Sequence, residues 1–286
     1  MSLPYRLGSN SLFIRPHENS IEPRRVVFLS TEGTKTEVQY FKFIEKYREQ
    51  IGIDAIVHVE VLRRYDTNSD PENVLELLEE YIHFRENKMF QTELDSLSIK
   101  NYSTEFIRNF LENPSTISQK ECNKFKAVLK EEHIDLLYLD FLSKYHGKDD
   151  LFGIVIDRDC GSHSLKQMEQ VLKKCNEKKY LCYITNPCIE FWQLLHVSDV
   201  ASEYPESLED ILKNELDEKK NSFVSNLLYT KTGQRKAIPT KTFEEFYLPN
   251  IDLAVKRAKG FAASEQLLYE LGSNLWELIE ILRKKS

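Results

Sequence analysis

The chain has 286 residues, 41% hydrophobic and 30% charged, with a formal net charge of −7. That size supports one core, or a core with a helical annexe. The negative charge excludes a protein that coats nucleic acid over its whole surface by neutralising phosphate; a polyanion would need a local basic patch, bound cations or a partner. No stretch approaches the roughly 18 apolar residues of a membrane span, and no signal pattern opens the chain. Five cysteines with no C-x-x-C pair suit reduced thiols in the cytoplasm.

Residues 1–24 contain Pro4, Pro16 and Pro23 and read as an irregular leader. "RRVVFLS" (24–30) is a short β-branched strand, and "TEGTKTE" (31–37) turns it into a helix over 38–50, with Tyr40, Phe41, Ile44 and Tyr47 near helical spacing. A second strand is expected at 55–62. A helix over 68–87 follows, started by Asp70-Pro71 and burying Val74, Leu77, Leu78, Tyr81 and Ile82. Residues 88–149 are amphipathic and polar-rich, which suggests a helical insertion. Then come "LFGIVID" (151–157) as a strand, a helix over 164–178, a strand over 179–185, and a helix over 186–197 with Asn186 as N-cap and Pro187 at its first position. Residues 200–286 read as mostly helical. The alternation predicts an α/β core with a mostly parallel sheet over 25–87 and 150–199, a helical insertion (88–149) and a helical C-terminal region (200–286).

Three of these strands end on acids. Glu32 follows the first, with Glu37 about one helical turn on; Asp157 and Asp159 close the third; Glu190 lies in the first turn after the fourth. In parallel strands all these ends share one rim, where ligands of such sheets gather. Residues two apart in an extended chain face the same way, so Asp157 and Asp159 aim at a common point while Arg158 points away and is not counted as catalytic. Crowded carboxylates repel, and a hard divalent cation, Mg²⁺ or Mn²⁺, removes that penalty. One or two such ions would serve in-line displacement at phosphorus. Each acid alone has an ordinary reading, and Glu37 also fits a capping-box partner of Thr34.

Gly33 suits a turn that needs either φ > 0 or no side chain, and Lys35 and helix N-terminal amides beside it suit a phosphate, although P-loop spacing is absent. Arg63 and Arg64, after the second strand, and His163, after the "DRDCG" turn, are further candidates for phosphate contacts. "YTKTGQRKAIPTKT" (229–242), with Lys231, Arg235, Lys236 and Lys241, is the one basic glycine-containing loop and a candidate nucleic-acid contact. Cys188 and His196 lie eight residues apart, too far along one helix to pair as nucleophile and base, so Trp192 and His196 read as a packed pair.

"FLSTEGTKTEVQYFKFI", "FGIVIDRDC" and "ITNPCIEFWQLLH" resemble the E-G-x-x-T-E-x-x-Y-F, D-R-D and N-P-C-x-E blocks of RloB-like proteins, and "LGSNLWELIEIL" resembles their closing helix, with Gly272-Ser273-Asn274 departing from it. The resemblance implies a Toprim-type domain in which Glu32, Asp157 and Asp159 bind Mg²⁺ and act on a phosphodiester, with Glu37 and Glu190 completing or supporting the cluster. It also implies a place in bacterial anti-phage defence or abortive infection, often beside an AAA-type ATPase. The expected activity is a Mg²⁺-dependent endonuclease on DNA or RNA. The alternative is a non-catalytic sensor or adaptor that binds nucleic acid or a phage protein. A homo-oligomer is left open.

Overall fold

The computed structural model describes residues 6–8, 23–66, 68–88, 90, 99–159, 161 and 163–284. Most of the expected leader lies outside them. Five strands form one sheet: β1 (Arg25–Thr31), β2 (Val57–Val61), β3 (Leu151–Asp157), β4 (Leu181–Asn186) and β5 (Gly272–Ser273), in the order β2-β1-β3-β4-β5. The first four are parallel, as expected; β5 runs antiparallel to β4, pairing Ser273 with Thr185 and Gly272 with Asn186.

β1 and β3 are near-continuous apolar runs because both sheet faces are covered. One face carries Val27, Leu29, Val57, Val59, Val61, Val155 and Tyr183. It is packed by α1 (Thr36–Lys46), by a helix at Ile189–Val197 (α8), and by the C-terminal helices Phe223–Thr232 (α11), Ile251–Ala258 (α12) and Leu275–Arg283 (α13). The other face carries Val26, Phe28, Ile154, Ile156 and Ile184. Under it lie α3 (Pro71–Glu86), α7 (Leu165–Lys178) and the insertion helices α4 (Thr104–Glu112), α5 (Gln119–Glu131) and α6 (Leu136–Lys144). Short helices α2 (Arg48–Ile51), α9 (Val200–Glu203) and α10 (Leu208–Lys213) lie among them, and a single turn at Thr240–Thr242 leads into a π-helix at Phe243–Tyr247. The expected insertion and most of the C-terminal region thus add to opposite coats of the sheet. Phe110, Phe125, Leu129 and Leu139 join one apolar mass and Ala254, Leu275 and Leu278 the other, while Ala262, Leu267 and Leu268 cross to the insertion's side.

Local chemistry sets the element starts. Asp70 caps α3, its carboxylate accepting from Asn73 N–H at 3.1 Å, with Pro71 at the first position. Ser164 and Gln167 form a capping box on α7. The start of α8 departs from expectation. β4 keeps pairing through Asn186, whose amide donates to Leu267 O at 2.9 Å, and the cap falls on Cys188. The Asn186–Pro187 peptide is cis. β5 carries no strand pattern in sequence; its Gly272 is required because a Cβ there would come within 2.4 Å of Ala262 O.

Candidate active centre at the sheet rim

The carboxyl ends of β1, β3 and β4 bring Glu32, Glu37, Asp157 and Glu190 together. Glu32 continues β1 by donating its N–H to Val155 O at 3.0 Å, and its Oε2 accepts from the Asp157 N–H at 2.9 Å. Its Oε1 lies 3.1 Å from His163 Nε2. Glu37, in the first turn of α1, is buried and accepts from Gly33 N–H at 3.0 Å. Glu190 sits in the first turn of α8, half-buried. Burial, then repulsion from Glu32, Glu37 and Glu190, pushes the Asp157 carboxyl well above the usual range. Burial, together with Glu190 and Glu32, lifts Glu37 to about 7. The four acids therefore feel one another, and the capping-box alternative for Glu37 falls away: α1 begins at Thr36 with Lys35 as N-cap.

Gly33 is present for space rather than for a positive φ, the second of its two expected reasons. A Cβ on it would stand 2.0 Å from Glu37 Oε2, so any side chain would evict that carboxylate.

Asp159 lies beyond the end of β3, exposed, with Oδ1 accepting from Gly161 N–H at 3.0 Å. Its charge is felt at His163, whose pKa is raised first by the Glu32 hydrogen bond, then by Glu32, Asp159 and Asp70 charge. Burial opposes that rise. His163, expected on a substrate phosphate, is instead engaged with the first acid of the cluster.

Both rim arginines adjoining the acids turn inward. Arg158 follows Ile154 and Ile156 onto the second face of the sheet, away from Asp157, as alternation requires. There it is buried, donating from Nε to Leu268 O at 2.9 Å and from Nη1 to His163 O at 3.1 Å. It clamps the loop that carries Asp159 and His163. Arg64 is also buried, donating from Nη1 to Thr31 O at 3.1 Å and from Nη2 to Glu32 O. The expectation of Arg64 as a phosphate holder is therefore corrected: its Nη1 and Nη2 are turned onto the end of β1, because the carbonyls there have no strand partner beyond Val61, and its Nε lies 3.8 Å from Asp66. Leu7, bridged to Arg64, and Arg6, 2.8 Å from Asp66, brace this arginine from the N-terminal segment. Arg63 is half-buried, its guanidinium 4.9 Å over the Tyr138 ring.

The basic loop reaches the rim. Thr36 Oγ1 donates to Lys236 O at 2.8 Å, and Ile238 N–H donates to Gln39 Oε1 at 2.8 Å, so the loop is sewn to the first turn of α1. Lys35, Arg235 and Lys236 are exposed there. Lys231 is paired with Glu203, which commits its charge to the fold. Thr36 and Gln39, which attach the loop, carried no sequence signal, since hydroxyls and amides on a helix are ordinary surface residues.

The hydrolase pair is absent. His196 accepts from Tyr40 OH through Nε2 at 3.2 Å and donates from Nδ1 to Trp192 O at 3.0 Å; burial drops its pKa to about 4. Cys188 Sγ instead accepts from Asn214 Nδ2 at 3.4 Å. Trp192 and His196 pack edge to face, as expected.

Carboxylate oxygens with raised proton affinity and no ammonium or guanidinium on their own oxygens suit a hard divalent cation. Among the described residues, no three such groups are drawn to one ligating point. Glu32 and Glu37 hold backbone N–H donors instead, so a cation there would require those carboxylates to turn from them.

Fold and rim together define an α/β protein with an acidic carboxyl-end site beside a basic loop. The model of the RloB-like protein family matches residues 27–282, and the chain belongs to that family. Comparison with curated proteins and with solved structures found no match. Among the described residues, no helix is long and apolar enough to cross a membrane.

Proposed function

We propose that this protein is a Mg²⁺- or Mn²⁺-dependent nuclease of Toprim type. The observation that carries the reading is the convergence of Glu32, Glu37, Asp157 and Glu190 at the carboxyl ends of β1, β3 and β4. Glu32 is tied to the Asp157 N–H at 2.9 Å, and burial, then the charges of the other three acids, raises the Asp157 carboxyl. A site that makes its own acids hard to ionise is a site prepared for a cation. Glu32, Asp157 and Glu190 would hold it, with Asp159 and Glu37 in support. The bound ion would polarise a phosphoryl oxygen and lower the pKa of a water.

The chain's own residues supply the rest. Lys35 and Lys236 offer ammonium groups at the α1 N-terminus, where backbone amides also favour a phosphate. His163 holds one face of Glu32, and Arg158 and Arg64 fix the loops from which Glu32 and His163 project. Glu37, its carboxyl lifted to about 7 by burial and by these acids, is about half protonated at neutral pH and can take up or give up a proton there. A role in anti-phage defence under an AAA-type ATPase rests on the family resemblance.

The test is cleavage of DNA and RNA by purified protein, alone and with such an ATPase, with and without Mg²⁺ or Mn²⁺. Cleavage should require the metal and vanish in Glu32→Gln and Asp157→Asn. Undiminished metal-dependent cleavage by both variants would overturn the reading. Undiminished phage protection by them would favour the sensor or adaptor instead.

A further inference from the structure

We propose that the rim takes single-stranded nucleic acid, and that Tyr229 with Arg235 forms the platform on which an unpaired base stacks. This rests on the nuclease reading and narrows its substrate.

Few large apolar side chains are exposed among the described residues: Leu216, Tyr229, Leu253 and Tyr269. Tyr229 alone of these carries a guanidinium, that of Arg235, with its carbon 3.9 Å from the ring centroid. Arg235 Nη1 donates to the neutral Asn226 Oδ1 at 3.0 Å, which fixes the guanidinium plane without cancelling its charge. Some exposed cations are matched to acids, as Lys213 is with Glu209, Lys259 with Glu280 and Lys100 with Glu131, while others, Lys124 and Lys174 among them, lie on the far coat of the sheet. Lys35, Arg235 and Lys236 form no ion pair among the described residues. They are three cations carried side by side on the loop and the first turn that adjoin the acidic rim.

The platform is fastened to the catalytic rim at both ends. Val224 N–H, at the start of α11, donates to Asn214 Oδ1 at 2.9 Å, and Asn214 in turn donates to Cys188, two residues before Glu190. At the other end Lys236 O is held by Thr36, one residue before Glu37. A rigid Tyr–Arg stack, a short arc of uncompensated cations and an adjacent cation site match what single strands offer: π-faces not already stacked in a duplex, and a flexible phosphate chain. A duplex keeps its base faces covered and would gain only the phosphate contacts.

Fluorescence anisotropy with labelled 12-nucleotide dT and rU strands, and with the matching duplexes, tests this in EDTA, where no cleavage occurs. Single strands should bind more tightly than duplexes. Tyr229→Ala should weaken single-strand binding about tenfold while Tyr229→Phe retains it. Arg235→Gln, which can keep the Asn226 contact, should also weaken it. Lys236→Ala should lower the salt dependence by roughly one phosphate contact. Tyr229→Ala binding single strands as wild type does, equal affinity for duplex and single strand, or no binding of either at low salt would each overturn the proposal. The readout is independent of catalysis, because EDTA withdraws the metal that cleavage needs and binding alone is measured.

Discussion

Glu32 Oε2 accepts the backbone N–H of Asp157 at 2.9 Å, so the acid after β1 is tied to the main chain at the end of β3. The two principal acids of the rim are therefore placed by adjacent parallel strands, and not by a flexible loop. Their separation follows from the β1–β3 register, in which Thr31 stands opposite Val155. Sites built on strand ends hold their geometry better than sites on loops.

The tight fit of Gly33 against Glu37 has a measurable consequence. In Gly33→Ala the new methyl meets only the far end of a flexible side chain, so the protein should fold with little change in Tm. Glu37 must swing aside, and cleavage should fall at least tenfold. In a Glu37→Gln background the same alanine should cost much less additional activity than in wild type, because the carboxylate it displaces is already altered. Additive effects on activity would mean that Gly33 acts through its backbone alone.

Stability should fall as pH rises from 6.5 to 8. Below 6.5 the loss from Glu60 is opposed by His196, which burial holds neutral with a pKa of about 4 and which adds stability as pH rises to 6.5. Burial lifts the Glu60 carboxyl from 4.5 to about 7, against the opposing charge of Arg63 and Lys42 and with Glu45 adding to it. Below 4.5 the group is protonated folded or unfolded and contributes no difference. Between 4.5 and 7 the unfolded chain gives up a proton that the fold retains, so stability is lost across that window, to a total on the order of 3 kcal/mol. Glu37 and Asp157 act with the same sign. Glu60→Gln should flatten part of the profile, measured by urea denaturation at each pH. Millimolar Mg²⁺ should flatten a further part above pH 6.5, because the rim acids meet the cation and Glu60 does not.

Arg158→Met should lower stability by about 2–4 kcal/mol, since two buried carbonyls, Leu268 O and His163 O, lose their donor. Arg158→Lys should recover part of it, as one ammonium cannot span both. In both variants limited proteolysis should shift to the 159–163 loop, and Mn²⁺ affinity should drop with it. A loss of stability with Mn²⁺ affinity unchanged would reduce Arg158 to a core residue.

The sequence made the sheet legible where it was most apolar. Val26–Leu29, Leu151–Ile156 and Leu181–Ile184 could be read as buried strands, and their acid endings placed Glu32, Asp157 and Glu190 on one rim. Alternation correctly turned Arg158 away from Asp157, but said nothing of the carbonyls waiting for it. Those belong to residues 5 and 110 positions distant, and no local pattern encodes such partners. Arg64 misled for the same reason: an arginine after a strand looks the same whether it faces a phosphate or a main chain. β5 was invisible because two residues carry no period, and its pairing is fixed by contacts with Ala262 and Leu267.

The most direct measurement is calorimetric titration of Mn²⁺ into the wild-type protein, Glu32→Gln and Asp157→Asn at pH 7.5. Wild type should bind Mn²⁺ with release of protons, and each substitution should weaken binding at least tenfold while leaving the fold intact. Binding of equal strength in all three, or none in wild type, would contradict a cation site at the rim.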